Sequence, residues 1–462
     1  MIHKNKRFLA GLAGLAFALA ATAAPSVTFT VPVTYYKLPN GLRVVLSPDH
    51  TAPTVAVAVY YKIGFRVEPR DRTGFAHLFE HMMFQGSKNL GKMEFVKLVQ
   101  QNGGILNGST RFDFTNYFEV LPSSKLETAL WAEADRMRGL DITEANLTNQ
   151  KGVVSNEVKV NVINQPYGGF PWLDLPQIAN TNWYNAHNFY GDLKEIDAAT
   201  LSDVKSFFAT YYAPNNAALA IVGDFEIPQA KAFVEKYFGG IAAATPAKLP
   251  DLAEPRQEQE KRVTHSDALA KRPALGLGYH MPERNTPEYY AMGLIDEIAL
   301  KGNDSLLYQE LVKKRALTGG VSGGINLLGS MFNYNGPMLW IVNLFYDDLK
   351  KTDDILSAID SVVDRLEKAP VDRATLDRAL TKFRSSFYDN LAGLSGFGTA
   401  DLLASFALFD DNPARINSLE AEFRKVTPEL IQKTAREYLR PENRTVLVIE
   451  PGTPKSKEGA GE

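Results

Sequence analysis

The hydrophobic pattern at the start of the chain predicts strands first and a helix after them. VTYYKLPNGLRVVLSPD is typical of two strands joined by a turn at Asn40-Gly41, and TVAVAVYYKIG is typical of a largely buried strand. Apolar residues then recur at helical spacing from Thr73 to Phe84, with Thr73 as the expected N-cap. The segment HLFEH, residues 77–81, is therefore predicted to lie on a helix that follows a strand.

The pattern continues with alternating helices and strands and then starts again. Helices are predicted over residues 93–101, 123–138, 143–162, 202–212 and 228–238, and strands in STRFDFTNYFEVLP and AALAIVG. Residues 242–262 are rich in Ala, Pro and charge without an apolar period, which indicates a linker. Beyond this linker the chain again reads as strand, helix, strands and helices.

One stretch on each side of the linker is similar enough to suggest a repeat. TLSDVKSFFATYYAPNNAALAIVG, from Thr200, aligns without gaps on TPELIQKTAREYLRPENRTVLVIE, from Thr427. The aligned pairs include Tyr211 with Tyr438, Pro214 with Pro441, and Asn216 with Asn443. The alternative is a shared helix, proline turn and strand without common ancestry. We interpret the match as two homologous α+β domains, residues 24–241 and 263–452, each a mostly antiparallel sheet packed with helices.

The two ends of the chain are predicted to lie outside these domains. Residues 1–23 combine basic residues, an apolar run and the small-residue site Ala21-Thr22-Ala23, which predicts a signal peptide and a periplasmic or secreted protein. The alternative is an uncleaved anchor. No other stable membrane span is expected, and residues 453–462 are expected to form a disordered tail.

Composition narrows the range of partners. The 462 residues carry 50 Lys and Arg against 53 Asp and Glu, and these charges are scattered rather than grouped. No basic patch is therefore predicted, which argues against nucleic acid or an anionic membrane as a partner. Cysteine is absent, so a metal site has to use histidine and carboxylate ligands.

The segment HLFEH has the spacing of a metal site. On a helix His77 and His81 lie one turn apart, and Glu80 shares their face. Zinc accepts imidazole and carboxylate ligands and activates water, whose proton a nearby carboxylate such as Glu80 takes. The alternative is an ordinary helix with a hydrated polar face. Spacing leaves the third ligand open among Glu94, Glu127, Glu133, Asp135, Glu144 and Glu157.

At this point the sequence resembles the inverted-zincin peptidases that include pitrilysin, insulysin and mitochondrial processing peptidase. The likeness runs through GFAHLFEHMMFQGS, GGILNGSTRFDFTNYFEVLP, NQKGVVSNEVKVNVINQPYG and NNAALAIVGDF into the second half. It implies one zinc ion per chain with His77, His81 and Glu157 as ligands, and Glu80 as general base. It also implies peptide substrates bound in extended form along ILNGST, where Asn107 and Gly108 offer backbone groups. For Asn107 the alternative is an ordinary turn residue.

Three positions depart from the pattern of this family. Gln150 stands where many relatives have a second glutamate, and its amide cannot accept a proton. In SLLYQELVKKRALTGGV, Val312 and Gly319 stand where active relatives place an Arg and a Tyr that donate hydrogen bonds to the substrate.

The missing donors predict a heterodimer, in which a homologous subunit supplies the Arg and the Tyr. Other local side chains are the alternative donors: Tyr308, Lys313, Lys314 and Arg315. The chain is thus expected to be a zinc endopeptidase subunit. A non-catalytic assembly or binding subunit is the main alternative, and metal storage is a further one.

Overall fold

Two sheets, each covered by helices, form the framework of the protein. The computed structural model describes residues 29–452, so the predicted signal peptide and the predicted tail lie outside the described residues. The strands are β1 (Thr34–Lys37), β2 (Arg43–Pro48), β3 (Thr54–Tyr61), β4 (Ile105–Thr110), β5 (Thr115–Pro122), β6 (Ala217–Gly223), β7 (Lys261–Asp267), β8 (Ala274–His280), β9 (Ser322–Ile325), β10 (Leu339–Phe345) and β11 (Arg444–Pro451).

The helices follow the strands in both halves of the chain, before and after the linker. Those of the first half are α1 (Phe75–Met82), α2 (Glu94–Gln101), α3 (Leu126–Arg138), α4 (Glu144–Val158), α5 (Asp174–Ala179), α6 (Trp183–Ala186), α7 (Leu193–Ala198), α8 (Leu201–Tyr211) and α9 (Ile227–Phe238). Those of the second half are α10 (Pro287–Ala299), α11 (Thr352–Lys368), α12 (Arg373–Ala392), α13 (Phe397–Phe409), α14 (Leu419–Arg424) and α15 (Pro428–Tyr438). Helix α4 continues as a π-helical turn over Lys159–Ile163.

Both sheets are mostly antiparallel with one parallel pair each. The first sheet has the order β1-β2-β6-β3-β5-β4, and only β2 and β6 run parallel. The second has the order β7-β11-β8-β10-β9, and only β7 and β11 run parallel. The predicted α+β class with mostly antiparallel sheets is therefore confirmed. The strand predicted in STRFDFTNYFEVLP is confirmed over β5, but its first residues end β4 and form the turn of the β4–β5 hairpin.

The repeat predicted from sequence has the same hydrogen bonds in both copies. Strands β6 and β11 each lie between one parallel and one antiparallel neighbour. Before β6, the side-chain amide of Asn216 donates to the carbonyls of Lys62 and Tyr211. Before β11, Asn443 donates to the carbonyls of His280 and Tyr438 in the same way. These equivalent contacts confirm the alignment as a structural repeat, while the domain boundaries stay a prediction.

Each sheet is also covered by a helix from the other half of the chain. Helix α13 packs against β2, β3 and β6 on the face opposite α1 and α3, where Ala58 and Ala220 leave room for it. Helix α5 packs against β7, β8 and β11 through Leu175. A Cβ atom at Gly278 would lie 3.1 Å from the Leu175 side chain, so glycine permits this close approach. Because each half contributes a helix to the sheet of the other, the two halves are joined, and the β4 edge of the first sheet lies beside the second half.

One described segment has the length and apolar composition of a membrane span, Arg373–Phe409. It consists of α12 and α13, which are separated where Leu394 and Ser395 adopt positive φ. Its most apolar window is 56% buried within the protein. The packing of α13 on the first sheet accounts for this apolar character, as in the core helix of a globular protein.

Candidate metal centre

The helix that carries HLFEH is capped by a carboxylate from the segment that precedes it. Helix α1 begins after Gly74, which has φ 80° and no side-chain cap. Thr73 is therefore not the N-cap, and that prediction is wrong because its hydroxyl donates to Glu195 at 2.6 Å. Instead, the fully buried Glu68 accepts the backbone N–H of Gly74 at 2.8 Å and that of Ala76. A carboxylate at this end of a helix is favourable, because the first N–H groups lack partners within the helix.

Glu68 has a second contact on its other side. His187 Nε2 lies 3.8 Å from a Glu68 oxygen, and the His187 ring stacks on Trp183 with centroids 4.3 Å apart. Burial raises the pKa of the Glu68 carboxyl, while His187 and the two backbone N–H groups oppose that rise. Glu68 and His187 thus hold the start of α1 from outside the helix.

The three residues implied as ligands converge on one point. His77 Nε2 and His81 Nε2 are 3.2 Å apart, and the Glu157 carboxylate lies 3.5 Å from the first and 3.2 Å from the second. Tetrahedral ligands at the usual zinc bond lengths are about 3.3 Å from one another. The three donor atoms therefore have the spacing of a zinc site.

The charge of the group also fits a cation. The two imidazoles hold the pKa of the Glu157 carboxyl well below its usual range. His77 is only 3% exposed, so the site is screened from water on one side. Two imidazoles and one ionised carboxylate, with one coordination position left, are the ligand set of a catalytic zinc site.

The other acids that spacing left open do not join this group within residues 29–452. They are Glu94, Glu127, Glu133, Asp135 and Glu144. Glu133 pairs with Arg136, and Asp135 accepts a hydrogen bond from Ser87 at 2.6 Å. The fold selects Glu157 because α4 packs against α1 and brings this side chain to the histidines.

Glu80 lies beside the group formed by His77, His81 and Glu157, which is called the metal group below. A residue of β4 orients the Glu80 side chain. Thr110 Oγ1, in a residue that is 2% exposed, donates to Glu80 Oε2 at 2.7 Å and also lies 3.4 Å from the carbonyl of Ala76. The hydroxyl fixes one carboxylate oxygen of Glu80 close to the start of α1. Thr110 was missed in the sequence analysis, although it ends the quoted stretch ILNGST.

The predicted peptide-binding residues lie on an exposed sheet edge next to the group. Among residues 29–452, strand β4 pairs only with β5, so its other side is a free edge of the sheet. Asn107 lines a cavity of about 490 Å³ that also contains His81 and Gln150. Gly108 lies against Tyr117, since a Cβ there would be 3.1 Å from that ring. Gln150 donates to Asn149 at 2.8 Å.

The second half does not supply the missing donors at the expected positions. Val312 lies in a π-helical turn over Tyr308–Lys314, and Gly319 in the loop that follows. Of the alternative donors, Lys314 and Arg315 both bond to the carboxylate of Glu310. The cavity at His81 is lined by residues of the first half.

The fold and the donor group define a class: a two-sheet α+β protein that carries HxxEH on a helix together with a distant glutamate. Two family models match the chain, insulinase (peptidase family M16) over residues 43–167 and peptidase M16 inactive domain over residues 198–383. The chain belongs to peptidase family M16, and the resemblance stated from sequence is confirmed.

The similarity to relatives extends over between half and nearly all of the chain. It is 26% identical to the zinc protease PqqE of Helicobacter pylori over 98% of this chain and 100% of that protein. It is 27% identical to the rat mitochondrial-processing peptidase subunit beta over 50% of this chain and 47% of that subunit. The crystal structure of a protease from Helicobacter pylori matches with a TM-score of 0.83 at 25% identity, covering 91% of this chain and all of that one.

Proposed function

We propose that the chain is a zinc-dependent endopeptidase subunit that hydrolyses peptides or small unfolded proteins. The observation that carries the proposal is the convergence of His77, His81 and Glu157 within 4.8 Å of one another, with Glu80 on the same helix. Membership of a family that includes zinc proteases supports the reaction class.

In this proposal His77 and His81 bind zinc through Nε2, and Glu157 binds it through its carboxylate. Bound zinc supplies Lewis acidity, which makes water reactive near neutral pH. Glu80 accepts the proton of the attacking water and carries it to the leaving amine. Thr110 keeps the Glu80 carboxylate in one orientation through its 2.7 Å hydrogen bond.

The substrate is proposed to bind as an added strand along β4. The free edge of β4 offers backbone groups to an extended peptide at Asn107 and Gly108, where a bound peptide would replace the hydrogen bond of 2.8 Å from the Gly108 N–H to Asn107 Oδ1. Asn107 lies in the same cavity as His81, which brings a bound peptide close to the metal group. Gln150 lines this cavity as a polar residue without an acid–base role.

We further propose that full activity needs a homologous partner that supplies an Arg and a Tyr. Neither Val312 nor Gly319 can donate a side-chain hydrogen bond, and Lys314 and Arg315 already bond to Glu310. Loss of one such donor lowers the rate about 10²- to 10³-fold, so the lone chain is expected to be a weak enzyme.

A non-catalytic assembly or binding subunit is the second candidate. It is favoured by the missing donors and by the second-half model, which describes an inactive domain. A binding role has no use for Glu80 beside the three metal-binding residues, so the intact group favours the peptidase. Zinc-free chain that forms a tight complex but cleaves nothing would support the second candidate.

Export is part of the proposal and depends on residues outside the described range. The predicted signal peptide, residues 1–23, implies a periplasmic or secreted protein. The chain is accordingly best tested in its mature form, from residue 24 onward.

The test measures bound zinc and peptide cleavage in the same samples, with and without a homologous partner. Glu80→Gln is expected to keep its zinc and lose cleavage, because the amide cannot accept a proton. Glu157→Ala is expected to lose zinc, and Glu144→Ala, an exposed acid on the same helix, to keep it. Cleavage that survives Glu80→Gln would remove the assigned base, and unchanged zinc in Glu157→Ala would place the third ligand elsewhere.

A further inference from the structure

A second cavity lies on the opposite face of β4 from the metal group. It has a volume of about 830 Å³ and is bounded by β4 and its turn on one side and by α10, α12 and α13 on the other. Thr110 bonds to Glu80 on the metal face. Ser109 lines the second cavity instead, as the alternation of side chains along a strand requires, and Arg111, the first residue after β4, lines it as well.

A peptide added to the β4 edge would place its side chains in both cavities. Successive side chains of a strand point to opposite faces of the sheet, so every second one would enter the cavity that Arg111 lines. Asn107 lines both cavities, which shows that the edge strand separates them. This step rests on the peptide-hydrolysing function proposed above.

Most charged groups in this second cavity already have partners. The charged lining residues are Arg111, Asp296, Glu297, Lys301, Lys382 and Asp401. Asp296 accepts a hydrogen bond from Trp340 at 2.7 Å and pairs with Lys301 at 3.7 Å. Lys382 bonds to Asp304 at 3.1 Å and lies 4.0 Å from Glu297. These four groups are thus paired among themselves or with neighbours.

Arg111 differs from the other charged groups of the cavity. Asp401 accepts hydrogen bonds from Tyr60 at 2.6 Å and from Asn333 at 3.4 Å, and Arg111 acts on it only over a longer distance. Within residues 29–452, no hydrogen bond or ion pair is formed by the half-buried Arg111 guanidinium. A guanidinium carries five donors in a planar fork that matches a carboxylate.

We propose that Arg111 binds an acidic side chain of the substrate, at a position whose side chain points away from the metal face. The half-buried cavity screens this charge pair less than bulk water does. A basic substrate side chain is disfavoured beside Arg111, because the two positive charges repel each other. The chain would therefore prefer peptides with Asp or Glu at one register position.

The test measures peptide binding in the Glu80→Gln background, so that its readout does not depend on turnover. Fluorescence anisotropy gives the Kd of neutral extended peptides that carry Glu, or Gln as the matched neutral residue, at each position in turn. Glu is expected to bind about tenfold more tightly than Gln at one position or at positions two apart, and not at the position between them.

Variants then assign this preference to Arg111. Arg111→Gln is expected to bring the Glu-to-Gln ratio of affinities close to one, and Arg111→Glu to make Lys the preferred residue. Lys301→Gln removes the same charge from the same cavity and is expected to keep the ratio. The inference would be overturned by equal affinities for Glu and Gln at every position, or by the absence of binding of any peptide. An equal loss of preference in Lys301→Gln would overturn it as well.

Failure of this inference is distinguishable from failure of the proposed function. Wild-type chain that cleaves peptides without any preference for Glu would overturn the inference alone. Chain that binds Glu peptides through Arg111, but cleaves none of them with or without a partner, would overturn the peptidase function alone.

Discussion

At the scale of single residues, the hydrogen bond from the Thr110 hydroxyl fixes the orientation of the Glu80 carboxylate. Thr110→Val keeps the shape of the side chain and removes the donor to Glu80 Oε2. Zinc content is expected to stay unchanged, while kcat falls about tenfold because the carboxylate loses its fixed orientation. Thr110→Ser keeps the hydroxyl and is expected to restore the rate. Equal loss of rate in both variants would assign Thr110 a packing role instead.

A second residue-scale prediction concerns pH. Burial raises the pKa of Glu297 to about 7 in the folded chain, from its ordinary value of 4.5. The folded state therefore holds this proton more tightly than the unfolded state, and stability is expected to fall as pH rises between these two values. Through this group, the wild-type chain should lose about 1–3 kcal/mol of its free energy of unfolding between pH 5 and pH 8, as measured by urea denaturation. Glu297→Gln should abolish this loss. Glu429→Gln, at an exposed acid, is the control, and an unchanged pH dependence in Glu297→Gln would contradict the prediction.

At the scale of elements, the position of α1 depends on Glu68 rather than on a cap within its own sequence. Glu68→Gln replaces one acceptor oxygen by a donor that faces a backbone N–H at the start of α1. We expect a loss of about 1–3 kcal/mol in the free energy of unfolding, together with weaker zinc binding. The measurements are urea denaturation and competition with a zinc chelator.

The matched control for the Glu68 variant is Glu94→Gln, at the start of α2. Glu94 also accepts a backbone N–H, that of Gly91 at 2.6 Å, but this bond is exposed and should contribute little. Stability and zinc affinity that are the same in the Glu68 and Glu94 variants would show that α1 does not need the Glu68 cap.

The elements also show what local sequence predicts and what it does not. The strands around Asn40-Gly41, the helix with HLFEH and the repeat at Asn216 and Asn443 depend on local patterns, and all were predicted from them. The Thr73 cap was predicted wrongly, because the Thr73 hydroxyl donates to Glu195, which lies 122 residues further along the chain. Such contacts between distant residues leave no periodic signal in the sequence.

The choice of Glu157 among six acids has the same cause. Spacing along the chain does not decide which acid faces the histidines, since this depends on how α4 packs against α1. The family resemblance implied Glu157, and the fold brings its carboxylate to within 3.2 Å of His81 Nε2. Thr110 and Arg111 were missed because their roles depend on which face of β4 each side chain occupies.

At the scale of the whole molecule, the central prediction is that the missing donors limit activity. Val312→Arg combined with Gly319→Tyr is expected to raise the cleavage rate of the isolated chain about 10- to 100-fold, since each donor stabilises developing charge. Lys313→Arg combined with Gly320→Tyr places the same side chains one residue later and is the matched control. Wild-type chain that cleaves peptides at full rate without a partner would contradict the prediction.

The most direct test of the account is the zinc position in crystals of the mature chain grown with zinc, measured by anomalous diffraction at the zinc edge. The account predicts one strong peak in the first half, bonded to Nε2 of His77, Nε2 of His81 and a carboxylate oxygen of Glu157. Crystals in which this position has no peak, and in which the two imidazoles point in different directions, would contradict it.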